Sequence, residues 1–499
     1  MGDNVHSNLD PQRGIKKHVL VVSVSVQAHI AGMLRFCMQL TKRGVKVSFI
    51  CLEQDISLLK DLEELQSLDI NLISYKNSEE EAYIWTFLKV VRKLFRPIHD
   101  KFVEDRKAGL PGPTCIMGDR FLPWLVDVAE ELGVPFYQFW SCGAVYVRVL
   151  QAYRELLDDG TFKVKEDADG RKMLAHFRGH VHIPGLPPLE HSELVNLVLG
   201  MDLYSAIGEA TGKADAVISN TFYDMEAPII EGIKQSWLKN SGGKKVHSFF
   251  PVGPLTTDAS VTNVSFHESD LNSRRSDYLK WLDTRAPQSV IYICFGSLVQ
   301  IYSPHIIQLA HALEATKLSF VWVISKGCEV ALPKGFQERT AEQGLIVTGW
   351  VAQLQVLQHS SIAGFLTHCG WNSILESVLT GVPMAAWPQL RNDQLFNCRY
   401  FVDVMKIAAE VKPQQISSGG EILKDGQPAM PLTMGTREPV PSEEFERVLR
   451  LLVAEEGQVI RSRILELKKA AEAAVADGGS SRQAVNDFVD FIPGSIISG

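Results

Sequence analysis

Short apolar runs alternate with amphipathic stretches along most of the chain. Residues 18–26 are rich in Val and predict a buried strand. Apolar residues then recur at helical spacing up to Gly44, a good helix stop, and a second apolar run follows at 45–51. This strand–helix–strand opening predicts a parallel sheet. The same order returns at 113–144 and again from Val290 onward, so the chain divides into two α/β halves.

The two halves are separated by a stretch that is poor in apolar residues, at 256–272. A chain of 499 residues is also too long for one compact core. We therefore predict an N-terminal domain at 1–250 and a C-terminal domain at 251–480. A Gly-Gly-Ser-Ser break precedes a last helical stretch, assigned to 481–499.

One segment of the C-terminal half has no apolar period. Residues 413–441 contain four glycines, and four prolines stand between Pro428 and Pro441. Such a composition predicts a mobile surface loop.

Composition and charge exclude several classes of protein. The formal net charge is −8 and the sequence pI is about 6.0, which argues against nucleic acid or an anionic membrane as a partner. The eight cysteines include no C-x-x-C pair, so neither a zinc site nor a disulfide framework is indicated. No stretch approaches the ~20 apolar residues of a membrane span. We expect a cytoplasmic, monomeric protein.

The stretch from Trp350 to Gln394 carries the clearest chemistry. A strand at 362–367 runs into a turn with Gly370, and a helix starts at about Asn372. The free N–H groups and positive dipole end of that helix can hold a diphosphate. Asn372 or Ser373 can cap the helix, and His368 adds an imidazole donor. Trp350 can stack on a base and Glu376 can accept from sugar hydroxyls. Each feature alone is also typical of an ordinary α/β unit.

In order and spacing, the whole stretch resembles the signature box of plant-type family 1 glycosyltransferases, which use UDP-sugars. The matching residues are Trp350, Gln353, His359, Phe365, Thr367, His368, Gly370, Trp371, Asn372, Ser373, Glu376, Gly381, Pro383, Pro388, Asp393 and Gln394. Two departures occur. Val351-Ala352 replaces the usual Ala-Pro or Cys-Pro, and one extra residue lies between Pro388 and Asp393.

The resemblance implies a fold and a set of binding residues. The fold is GT-B, with two Rossmann-like α/β/α domains that face each other across a cleft, and the last helix packs back on the N-terminal domain. The implied UDP site is Ser297, Trp350, Val351, Gln353, His368, Trp371, Asn372, Ser373 and Glu376. The implied sugar site is Ser141, Trp371, Asp393 and Gln394, with UDP-glucose as the donor.

Two residues of the N-terminal half are candidates for catalysis. His29 follows the first strand and Asp119 ends a later one, so both lie at the carboxyl edge where open α/β sheets bind ligands. The pattern alone leaves a surface or capping role open for His29, and a helix cap for Asp119. The resemblance implies that His29 is the general base and that Asp119 orients it.

We therefore interpret the chain as an inverting glycosyltransferase that moves a hexose, glucose in first place, from a UDP-sugar to a hydroxyl of a small lipophilic acceptor such as a flavonoid or another phenolic. No D-x-D motif follows a strand as a metal site would require, so no metal and no cofactor beyond the UDP-sugar co-substrate is expected. The alternatives are a C-glycosyltransferase, a non-catalytic sugar-nucleotide-binding protein and an NAD-type oxidoreductase. The absence of G-x-G-x-x-G in the first turn counts against the last.

Overall fold

The computed structural model describes residues 17–494 except for 54, 56–69, 76–83, 109–111, 167–171, 175–178, 191–192, 195–200, 241–247, 256–270, 297–298, 300, 391 and 413–438. The strands are β1 (His18–Val22), β2 (Lys46–Leu52), β3 (Ile70–Tyr75), β4 (Cys115–Asp119), β5 (Phe136–Trp140), β6 (Val164–Glu166), β7 (Lys172–Leu174), β8 (His180–Val181), β9 (Leu189–Glu190), β10 (Ala216–Ser219), β11 (Ser248–Pro251), β12 (Val290–Cys294), β13 (Ser319–Ile324), β14 (Gly344–Thr348), β15 (Ile362–Thr367), β16 (Met384–Ala386) and β17 (Ala408–Glu410). The helices are α1 (Gln27–Thr41), α2 (Ile84–Lys107), α3 (Leu125–Leu132), α4 (Ala144–Asp158), α5 (Met201–Lys213), α6 (Tyr223–Asn240), α7 (Leu271–Asp283), α8 (Ser303–Thr316), α9 (Phe336–Arg339), α10 (Gln353–Leu357), α11 (Trp371–Thr380), α12 (Asp393–Arg399), α13 (Ser442–Val453), α14 (Gln458–Val475) and α15 (Ser480–Phe491).

The N-terminal half is built on a parallel sheet of seven strands, in the order β11-β10-β5-β4-β1-β2-β3. Its central strands are buried on both faces, as their continuous apolar runs predict. The strand order reverses between β1 and β4. In open α/β sheets the crevice at such a reversal, beyond the carboxyl ends of the strands, is where ligands bind.

The C-terminal half repeats the design with six parallel strands, in the order β14-β13-β12-β15-β16-β17. Here the order reverses between β12 and β15. The turn after β15 is the one that the sequence assigned to the diphosphate. Each half therefore places its candidate residues at its own switch point, and the predicted two-sheet α/β architecture is present.

The two halves share a hydrophobic core. One cluster joins residues of α4 and α6 from the first half to α11, α12 and α14 of the second, with Tyr146, Ile233, Trp371 and Ile464 among its members. The last helix, α15, buries Ala484, Val485 and Phe488 against the first sheet and α1. Phe488 contacts Phe36 with ring centroids 5.5 Å apart. The chain thus crosses back to its own N-terminal half.

One predicted domain boundary falls inside a strand, and most of one predicted loop lies outside the described residues. The domain boundary placed at 250 falls inside β11, whose last residue is Pro251. The predicted mobile loop at 413–441 lies outside the described residues from 413 to 438, and it remains a prediction.

Candidate active site

His29 and Asp119 meet at the reversal of the first sheet. His29 is the third residue of α1, just past β1, and Asp119 is the last residue of β4. Imidazole Nδ1 lies 2.6 Å from Asp119 Oδ2, and both side chains are buried, with Asp119 fully so. The imidazole Nε2 is then left for a substrate. The structure therefore brings together the two residues that the sequence nominated for catalysis.

Neighbouring groups fix the orientation of this pair. Asp119 Oδ1 accepts from the backbone N–H of Phe121 at 2.9 Å, so the carboxylate is held at both oxygens. The Phe121 ring stacks on the His29 imidazole, with centroids 5.2 Å apart. The helix cap left open for Asp119 is not observed, because the following helix, α3, has Trp124 as its N-cap and no side-chain cap. A carboxylate held in this way sets the tautomer of its histidine partner.

The turn after β15 forms a tight cradle around His368. A Cβ atom at Gly296 would lie 2.8 Å from His368 Nε2, and one at Gly370 would lie 2.4 Å from it, so only glycine fits at either place. Burial lowers the pKa of His368 to about 4, and its ring is neutral at physiological pH. Its Nδ1 is buried without a hydrogen-bond partner in the described part of the chain. Such an unpaired buried polar atom is rare in native structures.

The helix after this turn begins one residue earlier than predicted. Trp371 is its first residue and Gly370 its N-cap, and no side chain caps it. Asn372 and Ser373 were expected to cap, and that expectation is wrong because both already lie within the first turn. The uncapped N–H groups at this end remain available for an anion.

A hydrogen-bonded group next to the cradle presents the candidate ribose acceptor. Gln353 Nε2 donates to Ser373 Oγ at 2.9 Å and to Glu376 Oε2 at 2.6 Å, and Tyr292 donates to Gln353 Oε1 at 3.3 Å. Burial raises the pKa of Glu376, while the bond from Gln353 and the charge of Arg35 oppose that shift. Gln353 thereby orients the carboxylate that the sequence assigned to the ribose.

Two further residues of the predicted UDP site lie just before α10. Trp350 is partly exposed and Val351 is buried, in the connection between β14 and α10. Ser297, which was also assigned to the diphosphate, lies outside the described residues.

Two of the four residues assigned to the sugar, Asp393 and Gln394, start α12. Asn392 caps this helix by accepting from Gln394 N at 3.1 Å. Gln394 Oε1 accepts from Gln389 N and Leu390 N at 3.1 and 2.9 Å, which leaves its amide Nε2 for a ligand. Asn397 donates to Asp393 Oδ2 at 3.4 Å and also to Cys369 O at 3.1 Å. It therefore connects Asp393, a candidate sugar ligand, to the turn after β15.

Trp371 connects this site to the opposite half. Its indole Nε1 donates to Asn220 O at 2.7 Å, and its ring lies against Gly143, where a Cβ atom would come within 2.2 Å of the ring. Ser141, the other assigned sugar residue, is buried two positions before Gly143, next to Gly32 of α1. Trp371 therefore packs the turn after β15 against the N-terminal half.

We expect Gly143→Ala to weaken UDP binding and to lower kcat. The rigid indole cannot yield to a methyl group at that distance, and overpacking of this kind typically costs about 1–3 kcal/mol. Because Trp371 starts α11, its displacement moves the N–H groups at the start of that helix, which are the candidate donors to the diphosphate. The dissociation constant of UDP, measured by calorimetry, should rise by up to roughly 5- to 150-fold, the range that this energy corresponds to.

Gly212→Ala is the matched control, since nothing lies within 4 Å of a Cβ atom there and the residue is inside α5. It should bind UDP as the wild type does. Unchanged UDP affinity in Gly143→Ala would show that the two halves tolerate a shifted Trp371.

Three contacts of the site were missed by sequence reasoning. They are the close approach of Trp371 to Gly143, the bridge made by Asn397 and the position of Arg120 beside Asp119. Arg120 alone had a usable signal, because it directly follows the strand-end acid Asp119 in the sequence. The other two depend on how the two halves are placed.

The described residues contain neither a helix suited to a membrane nor a cluster of side chains suited to a metal ion. None of their helices is long and apolar enough to cross a membrane. None of their His, Cys, Asp and Glu side chains form a group of three or more that could hold a metal ion.

Comparison with known proteins identifies the class to which this chain belongs. The profile of the family described as UDP-glucoronosyl and UDP-glucosyl transferase matches residues 261–420. The UDP-glycosyltransferase 74E2 of Arabidopsis thaliana is 30% identical over 487 residues, which cover 95% of this chain and 98% of that protein. The scopoletin glucosyltransferase of Nicotiana tabacum is 30% identical over 81% of this chain and 79% of its own.

Comparison with solved structures points to the same class of enzyme. A UDP-glucosyltransferase from Polygonum tinctorium, described as capable of glucosylating indoxyl, superposes with a TM-score of 0.74 at 27% identity, over 95% of this chain and 98% of its own. The structure of this chain is thus a GT-B fold, as predicted, and the class is that of enzymes that transfer sugar from UDP-sugars. The chain belongs to plant-type family 1 of the UDP-glycosyltransferases.

Proposed function

We propose that this enzyme transfers glucose from UDP-glucose, with inversion at the anomeric carbon, to a hydroxyl group of a small lipophilic acceptor such as a flavonoid or another phenolic. The observation that carries the proposal is the 2.6 Å contact between His29 Nδ1 and Asp119 Oδ2 at the switch point of the first sheet. A glycosyltransferase needs a base there, because a neutral hydroxyl is a weak nucleophile.

The pair supplies that base. The free Nε2 of His29 takes the proton of the acceptor hydroxyl as its oxygen attacks the anomeric carbon. Asp119 keeps the proton of Nδ1 in place and stabilises the imidazolium that forms. A direct displacement by this oxygen, opposite the leaving UDP, inverts the anomeric configuration.

The C-terminal half binds the leaving group, UDP. UDP gains negative charge as the sugar departs, and the N-terminus of α11 together with neutral His368 offers donors for it. We infer that no metal is required for this step, because these donors already face the diphosphate position. Glu376 holds the ribose, Trp350 stacks on the uracil and Ser297 completes the diphosphate site.

The sugar itself is held by Asp393, Gln394, Trp371 and Ser141. Glucose is proposed because relatives that are named as glucosyltransferases match most of the chain. A phenolic or similar aromatic acceptor is proposed by the same reasoning, since scopoletin and indoxyl appear in the names of the similar proteins. We further propose that the enzyme acts as a cytoplasmic monomer, with acceptor contacts supplied by residues 1–250.

The test is a screen of phenolic acceptors with UDP-glucose, UDP-galactose and UDP-glucuronate, with product detection by mass. We expect a product one hexose heavier, formed fastest from UDP-glucose and released by acid hydrolysis as an O-glycoside should be. An acid-stable product would indicate attack through carbon. Tight UDP binding without any product would favour a sugar-nucleotide-binding protein, and a faster reaction with another donor would overturn glucose.

A further inference from the structure

A groove with basic walls lies between α1 and α15. Its volume is about 600 Å³, which is typical of small-molecule sites. It is bounded by the second half of α1, by residues 252–255 just after β11, and by the junction of α14 with α15. None of its lining residues is among those assigned to catalysis, UDP or the sugar. The groove is therefore distinct from the candidate active site.

Four of the side chains that line this groove are cations: Arg35, Lys42, Arg43 and Arg482. No acidic side chain is among its lining residues in the described part of the chain. The whole chain has a formal net charge of −8, so this local excess of positive charge runs against the average composition. A concave surface of one sign raises the local concentration of ions of the other sign. This surface, the basic groove, thus favours anions.

Arg35 lies in the α1 wall of the basic groove without an ion-pair partner. Its side chain is half-buried, and its Nε is buried with no hydrogen-bond partner in the described part of the chain. Burial lowers the pKa of Arg35, and the charge of Glu376 opposes that shift. No hydrogen bond or ion pair joins these two side chains among the described residues, and Gln353 already donates to Glu376 at 2.6 Å. Arg35 thus brings to this wall a cation that no neighbouring carboxylate contacts.

Neutral partners hold Arg43 further along the same wall. Arg43 Nη1 donates to Gln39 O at 2.9 Å and to Gln39 Oε1 at 3.1 Å, and its Nε donates to Asn486 Oδ1 of α15 at 2.7 Å. These bonds fix the guanidinium without cancelling its charge. A cation that is already oriented loses less freedom when a ligand binds. Arg482 differs, since it pairs with Asp477 at 2.6 Å.

The groove also has an apolar side. Val252, Leu255 and Val485 line it and are buried. Ser481, at the start of α15, donates to Gly253 O and so fixes residues 252–255 to the last helix. Small-molecule sites typically combine apolar surface with a few polar groups, and guanidinium groups match the oxygens of a phosphate well. The combination fits a small organic phosphate, in which a doubly charged group is joined to an apolar body.

We propose that the basic groove binds a small organic phosphate, whose phosphate pairs with the cations of the groove and whose apolar part covers Val252, Leu255 and Val485. The site goes beyond the proposed transferase activity and depends on neither the donor sugar nor the acceptor. Its walls come from both halves, because α1 belongs to the first and Val475, at the end of α14, belongs to the second. A bound phosphate therefore contacts the segments through which the chain passes between the halves.

The experiment titrates phenyl phosphate into the full-length enzyme in a calorimeter, with UDP at saturation so that the donor site is filled. The pH is about 7.5, where a phosphate monoester carries close to two negative charges. We expect one equivalent to bind to the wild type. Lys42→Gln/Arg43→Gln should weaken that binding by about tenfold or more, because charge-assisted contacts are lost. Arg35→Met should weaken it as well, and benzoate, with a single charge, should bind less tightly than phenyl phosphate.

Arg92→Gln/Arg96→Gln is the matched control, since it removes two positive charges from exposed positions on α2 that do not line the groove. It should bind phenyl phosphate as the wild type does. If Lys42→Gln/Arg43→Gln does not fold without the bond from Arg43 to Asn486, Lys42→Gln/Arg482→Gln removes two charges of the groove and keeps that bond. Both groove double variants should transfer sugar as the wild type does.

Three results would overturn this site. They are the absence of saturable binding while UDP is bound, equal affinity of the wild type and the groove variants, and an equal loss of affinity in the control variant, which would mean that net charge alone attracts the phosphate. Benzoate that binds as tightly as phenyl phosphate would overturn the class of ligand. A wild type that transferred no sugar from any donor would instead contradict the proposed function, and the titration does not depend on it.

Discussion

His29→Ala should lower kcat by roughly 10²–10⁴-fold while UDP still binds, because removal of a general base typically costs that much. The imidazole is contributed by the first half, whereas the groups assigned to UDP are contributed by the second. Turnover of a weakly acidic alcohol acceptor and the dissociation constant of UDP, measured on the same preparation, check both parts of the expectation. A strongly acidic phenol is unsuitable, since it ionises without help.

Substitution of Asp119 gives a second test of the same pair. Asp119→Asn keeps an acceptor for the Phe121 N–H but turns an amide toward His29, which favours the wrong tautomer. It should lose nearly as much kcat as His29→Ala, and the double variant should be little worse than His29→Ala alone. His311→Ala, an exposed histidine of α8, serves as the control and should be fully active. Near-normal turnover by His29→Ala would remove His29 as the base.

Glu226→Gln should lower the melting temperature by several degrees at pH 7. Glu226 is fully buried in α6, and its carboxylate accepts from Ala144 N at 2.9 Å, from Val145 N at 2.8 Å and from Thr221 Oγ1. It thereby satisfies the first N–H groups of α4. A glutamine would turn an NH₂ toward at least one of these donors, and each unpaired buried donor costs about 1–3 kcal/mol.

The burial of Glu226 also predicts how the free energy of unfolding depends on pH. Burial raises the pKa of Glu226 to about 6 from its usual value of 4.5, although its three hydrogen bonds oppose the shift. The Glu226 carboxyl group therefore binds its proton more tightly in the folded state than in the unfolded state. Its contribution to the free energy of unfolding, about 2 kcal/mol, is fully present below pH 4.5 and is lost as pH rises through about 6.

Since Gln does not titrate, the difference in melting temperature between wild type and Glu226→Gln should be larger at pH 4.5 than at pH 7. Glu231→Gln, an exposed position on the same helix, should show little difference at either pH. A difference that is constant with pH would mean that Glu226 keeps an ordinary pKa in the folded enzyme.

Much of this protein follows from its local sequence. Its strands are recognisable because parallel strands covered on both faces need continuous apolar runs, as in β1 and β15. The sequence places His29 and Asp119 at one edge of the sheet, because parallel strands end there, and the family resemblance adds their roles as base and orienting acid. The diphosphate turn is recognisable for a similar reason, since its chemistry resides in consecutive residues from His368 to Ser373.

The tertiary structure decided what depends on residues far apart in the chain. Trp371 donates to Asn220 across 151 positions, and Glu226 caps a helix that starts 82 positions earlier. Such contacts depend on how one half is placed against the other, and no local period encodes that placement. The contacts of Arg120 belong to the same group, because Trp140 and Tyr146 are 20 or more positions away in the chain and reach its guanidinium only in the folded protein. Local pattern thus determines which elements form and where their ends lie, whereas the packing of the two halves determines which side chains act together.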